Sequence, residues 1–294
     1  MGALATPGWP SPGGAVPADA VVIDGLSFLY FEPLNPHPPG EDFFRAIADS
    51  GVTAINYTVS AATFEGTVRT IARWSAVAAH RPDRLVIARS VRDIGAAKAA
   101  GQTAVLFGFQ DPAAIGRDLS RLGLFHDLGV RVVQLTENIQ NEFGSGCMER
   151  RDGGLTLLGR DLVKRMNDLG VLVDVSHSGP RTTLDAIEAS QRPIAISHSN
   201  CAAIHDTPRA KSDDAIRALA ARGGVMGVTF LNFFVGGKAR NTVEDVIDHV
   251  DHVRDLVGID HVGEAFDTLE RGVVAVFGVG ADAIADDDHR VAAV

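Results

Sequence analysis

The sequence holds little cysteine, few aromatic side chains, no run of basic residues and no long apolar stretch, and each shortage excludes a class of protein. Two cysteines, Cys147 and Cys201, stand far apart in the chain and cannot build a disulfide framework. Aromatic residues make up only 6% of the chain, so the core has to come chiefly from Ala, Val, Ile and Leu. Lys and Arg number 27 against 37 Asp and Glu, a formal net charge of −10 with no basic cluster, which argues against a nucleic-acid partner. No stretch of ~18 apolar residues occurs, so no membrane-spanning segment is expected. The first apolar run is followed by Asp24-Gly25-Leu26-Ser27 rather than a G-x-G-x-x-G turn, so the pyrophosphate cradle of a dinucleotide-binding sheet is missing.

What is present fits a globular enzyme. Hydrophobic residues are 46% and charged residues 22% of 294, enough apolar surface to offset chain entropy. Residues 1–18, rich in Pro and Gly, read as a flexible leader without the charged and apolar regions of a signal peptide, and the expected location is cytoplasmic. Residues 19–294 show no linker or composition shift and read as one domain.

Within that domain, short runs rich in β-branched residues alternate with helical patterns. The strand candidates are residues 21–24, 52–59, 85–89, 103–110, 131–136, 171–177, 193–199, 225–230 and 261–266. Several are continuously apolar, as strands buried on both faces of a parallel sheet must be. The helical patterns over 157–169, 215–222 and 243–257 place apolar residues on one side, and Gly51, Gly101, Gly129, Gly170, Gly223 and Gly258 supply turns into the next strand. Repeated β-α units of this kind predict an α/β fold, a (β/α)8 TIM-type barrel, with one of the nine strands, 85–89, peripheral. Polar residues at separate strand tips, namely Gln110, Glu137, His177, His198 and Asn232, sit where barrel enzymes build active sites.

The sharpest local signal is a repeat: Val-Asp-Val-Ser-His177 and Ile-Ala-Ile-Ser-His198 each end an apolar strand, with one helix-sized segment between them. Consecutive parallel strands would bring both imidazoles to one rim, within reach of a single ion or substrate. Arg209, stiffened by Pro208, is a candidate clamp for a substrate carboxylate, or alternatively a partner for Asp213 or Asp214. The polar loop from Leu135 to Cys147, which carries Glu137 and Asn138, reads as an active-site loop. His249, Asp251 and His252 form a tempting cluster, but they read as the solvated face of the 243–257 helix.

On these residues, together with Gly108-Phe109-Gln110-Asp111, Asp152-Gly153-Gly154-Leu155-Thr156, Met166-Asn167-Asp168-Leu169-Gly170-Val171 and Gly258-Ile259-Asp260-His261-Val262-Gly263, the chain resembles the membrane (renal) dipeptidase family. These are zinc metallopeptidases of the amidohydrolase-like barrels. The resemblance runs from about Val21 to Gly263 and implies a hydrolase that cleaves a dipeptide or similar small amide with metal-activated water. It implies that His177 and His198 are the two histidines of one zinc site and that Arg209 holds the substrate carboxylate. Asn138 and Asn232 are further candidate substrate contacts.

Other family positions depart. The first-strand His-x-Asp falls on Leu26 and Phe28, the bridging glutamate on Gln110, the histidine that assists the transition state on Glu137, and the last-strand aspartate on Ala265. The expectation is therefore one zinc at most, not a bridged pair, with Glu137 or Asp174 as a possible third ligand and Gln110 and Glu137 as the catalytic candidates. Two alternatives stay open: a descendant that binds a small carboxylated molecule without turnover, and a metal-free enzyme with Glu137 or His177 as general base. A homodimer is expected from the resemblance alone, and the segment from Gly272 to Val294 does not follow the family pattern.

Overall fold

A computed structural model describes residues 21–27 and 39–265. The leader, Phe28 and the segment from Phe266 onward lie outside the described residues. The nine expected strands all appear, as β1 (Ile23–Ser27), β2 (Ala54–Thr58), β3 (Leu85–Ile87), β4 (Thr103–Phe109), β5 (Val130–Gln134), β6 (Leu172–Asp174), β7 (Ala195–Ser199), β8 (Val225–Thr229) and β9 (Val262–Ala265). Between them run α1 (Glu41–Ser50), α2 (Phe64–His80), α3 (Val91–Ala100), α4 (Ser120–Asp127), α5 (Leu157–Leu169), α6 (Pro180–Ala189), α7 (Asp213–Ala220), the short α8 (Asn232–Val235) and α9 (Val243–Val257).

Every strand pairing is parallel, in the order β1-β2-β4-β5-β6-β7-β8-β9, and β9 returns against β1 to give a near-closed eight-stranded (β/α)8 barrel. The strand outside this ring is β3. β4 is long enough to give one edge to β2 and the other first to β3 (Leu85↔Thr103 to Ile87↔Val105) and then to β5 (Phe107↔Val130 to Phe109↔Val133). A bulge at Arg131 marks the hand-over. Its buried guanidinium donates to the carbonyls of Arg89 and His126, both at 2.7 Å, and so seals the end of β3.

Alternation along the strands sorts the two faces. Ile55, Tyr57, Val105, Phe107, Phe109, Val133, Val173 and Ile196 pack outward with Trp74, Phe125, Leu162, Met166 and Leu219 of the helices into one continuous core. Each such fully buried side chain contributes about 1.5–3 kcal/mol of burial free energy. The intervening positions, among them Asn56, Gly108, Gln134 and Asp174, face the barrel interior. A Cβ on Gly108 would stand 2.2 Å from Asn56 Oδ1, so only glycine leaves room for the amide there.

Helix ends follow local chemistry. Thr156 caps α5 by accepting from the Gly159 N–H at 3.0 Å, Pro180 opens α6, and Ser90–Asp93 and Thr242–Asp245 form capping boxes on α3 and α9. The sequence reading of α9 needs one correction. His249 does not lie on a solvated face; it is fully buried with Val246, Val250 and Val253, at the spacing of one helix stripe. Its Nε2 donates to the Val235 carbonyl at 2.8 Å, and its Nδ1 accepts from the Cys201 N–H at 3.0 Å. With both nitrogens satisfied, the ring can be buried and serves to tie α9 to α8 and the end of β7.

Candidate functional site

His177 and His198 meet at the C-terminal rim of the barrel. β6 stops at Asp174, and the turn from Val175 to Gly179 lifts His177 off the sheet before α6 begins. β7 continues to Ser199, but its pairing with β8 slips between Ile196 and Ser199, so an extra residue bulges where His198 sits. Bulges of this kind re-aim side chains beside active sites. The result is an Nε2–Nε2 separation of 2.9 Å, with ring centroids 4.9 Å apart and planes at 58°. Both rings are buried.

The outer nitrogens show how each ring is oriented. His177 Nδ1 lies 2.8 Å from Asn138 Oδ1, an acceptor, so Nδ1 carries the proton and Nε2 presents a lone pair. The Cys147 thiol also donates to that oxygen at 3.7 Å. His198 Nδ1 lies 2.7 Å from Ser197 Oγ. That hydroxyl gives its single proton to Asp174 Oδ2 at 2.6 Å, so it accepts from Nδ1 and leaves a second lone pair on His198 Nε2. With both lone pairs free and the two Nε2 atoms 2.9 Å apart, a single ion set to one side of the N···N line, at the usual zinc–nitrogen distance of about 2.0–2.1 Å, can take both.

Asp174 cannot be the third ligand that its place in the sequence suggested. One carboxylate oxygen accepts from Ser176 Oγ at 2.6 Å, the Ser176 N–H at 2.9 Å and the Ser197 N–H at 3.1 Å, and the other accepts from Ser197 Oγ. Its carboxylate is consumed in locking the two Ser-His steps together. Ser176 Oγ completes the lock by accepting from the His198 N–H at 3.0 Å. The repeated serine before each histidine was the sequence signal for this arrangement.

The loop from Glu137 to Glu149 folds back over the rim. Asn138 is the non-glycine residue with a left-handed backbone among the described residues, at φ 55°, and its carbonyl accepts from the Met148 N–H at 2.8 Å. A Cβ on Gly146 would stand 2.2 Å from the Asn138 carbonyl carbon, so glycine is what lets the loop close and deliver Asn138 to His177.

Arg209 and Lys211 reach the same place from the loop after β7. That loop is pinned at its neck, where Ser199 Oγ donates to the Arg209 carbonyl at 2.6 Å and the Lys211 N–H to the Asn200 carbonyl at 2.8 Å. The buried guanidinium donates to the carbonyls of Ser176 and His198, the latter at 2.9 Å, and stands 5.4 Å from the centre of the Phe234 ring. Asp213, the alternative partner read from the sequence, instead pairs with His252 at 2.8 Å. The fully buried Lys211 ammonium donates to Val175 O at 2.7 Å, Ser178 O at 2.8 Å and Thr183 Oγ1 at 3.1 Å. Nothing singled out Lys211 in the sequence, where it belongs to a polar loop.

These charges set the titration of the site. Burial, and then the charge of Arg209, hold both imidazoles well below the ordinary histidine range. Burial and Arg209 also lower the Lys211 ammonium to about 7. Glu137, half-buried, is pushed upward by burial and by the neighbouring Asp111 charge, against a smaller downward pull from Arg209. Asp111 is raised by its own burial. Burial raises the Cys147 thiol as well, which makes it a structural donor rather than a nucleophile.

The remaining candidates are placed as follows. Gln110 directly follows β4, half-buried, with its backbone N–H on Thr58 Oγ1 at 3.2 Å and its backbone carbonyl accepting from Gln134 Nε2 at 2.6 Å. Asn232 is exposed in α8; its side chain accepts from the Asn241 N–H at 2.8 Å and donates to the Ala239 carbonyl at 3.4 Å, and it touches neither imidazole. Leu26 is buried and aliphatic.

The two opposed lone pairs fit one divalent ion of the zinc type, for which neutral imidazole is a preferred donor. The positions that would hold a second, bridged ion are poorer in donors. Leu26 offers no donor, Gln110 is a neutral amide, and among the described residues no three His, Cys, Asp or Glu side chains converge as a metal-binding group.

The chain is similar to known proteins in both sequence and fold. The model of the family described as membrane dipeptidase (peptidase family M19) matches residues 48–275. Dipeptidase verJ of Clonostachys rogersoniana is 34% identical over 183 residues, covering 62% of this chain and 47% of that protein. Dipeptidase aclJ of Aspergillus oryzae is 31% identical over 201 residues, covering 66% of this chain and 48% of that protein. The chain thus spans about half the length of these relatives. Among solved structures, an amidohydrolase from Pseudomonas aeruginosa superposes with a TM-score of 0.79 at 34% identity over 87% of this chain and 77% of that one. A metallopeptidase from Rhodobacter sphaeroides, bound to a phosphinate mimic of the dipeptide L-Ala-D-Ala, shares the fold with a TM-score of 0.77 at 22% identity, covering 88% of each chain. With its barrel, its paired Ser-His strand ends and a family match over most of its length, the chain belongs to the membrane dipeptidase family, peptidase family M19.

Proposed function

We propose that the protein hydrolyses a dipeptide or a similar small amide, using one zinc-type ion held by His177 and His198. The observation that carries this reading is the pair of Nε2 lone pairs opposed across 2.9 Å, each held by its own fixed partner on the far side of the ring. When bound, the ion supplies a Lewis acid for the amide carbonyl and lowers the pKa of an attacking water.

The chain's own residues do the rest. Glu137, with its raised pKa, takes a proton from the attacking water and returns it to the leaving amine as the C–N bond breaks. The Gln110 amide replaces the bridging carboxylate and offers a neutral hydrogen bond at the reacting centre. Arg209 supplies the positive field toward which a substrate carboxylate turns, while Asn138 orients His177 and does not contact substrate. Asn232 has no part in this reading. Two free, buried thiols are in keeping with a reducing, cytoplasmic setting.

One observation favours a second reading, binding of a small carboxylated ligand without turnover: no third metal-binding side chain accompanies the two histidines among the described residues. A dipeptide panel separates the two, and it includes peptides with a D-residue on the C-terminal side. Hydrolysis above the buffer rate, lost on chelation and restored by zinc, is expected. Binding of the same peptides without cleavage would replace the hydrolase with the second reading, and turnover indifferent to chelation would remove the metal from the mechanism.

A further inference from the structure

The turn from Val175 to Ser178 carries His177, and each of its four carbonyls accepts a hydrogen bond. The Val175 and Ser178 oxygens take the two shortest bonds from Lys211 Nζ, at 2.7 and 2.8 Å. The Ser176 oxygen takes Arg209, and the His177 oxygen takes the Cys147 N–H at 2.8 Å. Lys211 therefore spans the first and last residues of the turn from a single atom, and its third N–H goes to Thr183 Oγ1 on α6 at 3.1 Å. Three donors on one nitrogen, spread toward three oxygens, are what an ammonium supplies and what a planar guanidinium cannot.

The cost of this arrangement is the reason to look for its purpose. The ammonium is buried, and all three of its acceptors are neutral oxygens. Burying an ammonium without a paired anion is expensive, so a methionine of similar length would be the more stable filler unless the three bonds do something else. The turn's other bonds come from its flanks: the Ser178 N–H closes on Val175 O at 3.1 Å, Ser178 Oγ pairs with Thr136 Oγ1 at 3.0 Å, the Gly179 N–H donates to Ser145 O at 3.0 Å, and Thr183 Oγ1 reaches Ser178 O at 3.3 Å. Only Lys211 joins the carbonyls of the turn's first and last residues through one atom.

We propose that Lys211 is a positioning residue for the imidazole pair, its ammonium fixing the 175–178 turn so that His177 Nε2 faces His198 Nε2. The loop after β7 thus does two things with one insertion. Arg209 binds the strand ends from one side, bonding one carbonyl from each histidine's segment, and Lys211 closes the turn from beneath. The metal arm of the test rests on the reading that the histidines hold an ion; the spectroscopic arm does not.

The test compares wild type, Lys211→Met and the milder Thr183→Val, each checked for a cooperative thermal transition. In metal-free protein, long-range proton–nitrogen NMR spectra of the imidazoles report the tautomer of each ring, and cross-relaxation reports their contact. Wild type is expected to show two fixed tautomers and a His177–His198 contact, and Lys211→Met is expected to average the His177 signals and lose the contact. With zinc, competition against a chelator is expected to show affinity about 10–100-fold weaker in Lys211→Met, the range found when an outer partner of a metal-bound histidine is removed. Thr183→Val is expected to move both readouts in the same direction by less, and it decides the matter if Lys211→Met does not fold. A folded Lys211→Met with unchanged ring signals and zinc affinity would overturn the proposal. If wild type binds no zinc, the hydrolase reading falls, and the metal-free spectra alone decide the role of Lys211.

Discussion

Glu137 stands where the family resemblance expects a histidine, and in the proposed mechanism its carboxyl carries the proton instead. An imidazole takes and gives a proton near neutrality without help, whereas a carboxyl needs the upward push that burial and Asp111 give Glu137. Replacing Glu137 with Gln keeps the shape and removes the titration. The expected result in steady-state kinetics is a kcat lower by about 10²–10⁴-fold with little change in KM, the usual contribution of a positioned acid–base group. A loss confined to KM would instead make Glu137 a substrate contact. At the same scale, Asp174 illustrates what the sequence conceals. A carboxylate at a strand tip beside two histidines looks like a ligand, and only the four hydrogen bonds it accepts from Ser176 and Ser197 show that its work is to hold them in place.

The strands and three of the helices, α5, α7 and α9, could be read directly from the sequence, because burial on both faces writes continuous apolar runs and these helices write a stripe. α5 and α9 have the expected limits, and β3 is peripheral because β4 outruns its neighbour. The pairing of His177 with His198 was legible for the same reason: two strand ends with the same Ser-His step on adjacent strands. What the sequence could not show were the bulge in β7, which turns His198, and the side-chain reach of the loop after it, since a register slip and a buried lysine leave no periodic trace. His249 was misread because a single imidazole inside a valine stripe looks polar until its two backbone partners are known.

The junction of β6 and β7 also sets the response to acid. Folded, both imidazoles stay neutral well below 6.5, while the unfolded chain takes up protons near that value. Below about 6.5 the unfolded state therefore binds more protons, and stability falls as the pH drops. Lys211 acts with the same sign at higher pH: its folded value of about 7 lies under the ordinary 10.5, so its contribution is complete above 10.5 and declines as the pH falls toward 7. Urea midpoints of the metal-free protein are expected to drop from pH 7.5 to 5.5, and the drop is expected to be smaller in His198→Gln. An equal drop in both would show that the imidazole pair is not the acid-sensitive element.

On the scale of the whole molecule, the barrel keeps the family's rim while altering what the rim carries. In the proposed site, His177 and His198 are supported by Asn138, Ser197 and Asp174, while an aliphatic side chain and a neutral amide stand at the positions where the family resemblance expects further ligands. That pattern argues for a single ion with open positions for water and substrate rather than a bridged centre. In the proposed mechanism, the carboxyl of Glu137 supplies what a second metal and its bridging glutamate would otherwise provide. The most direct check is elemental analysis of the purified protein after equilibration with zinc and removal of the excess. One zinc per chain is predicted in wild type and none in His177→Ala or His198→Ala, whereas two per chain, or one that survives both substitutions, would contradict the account.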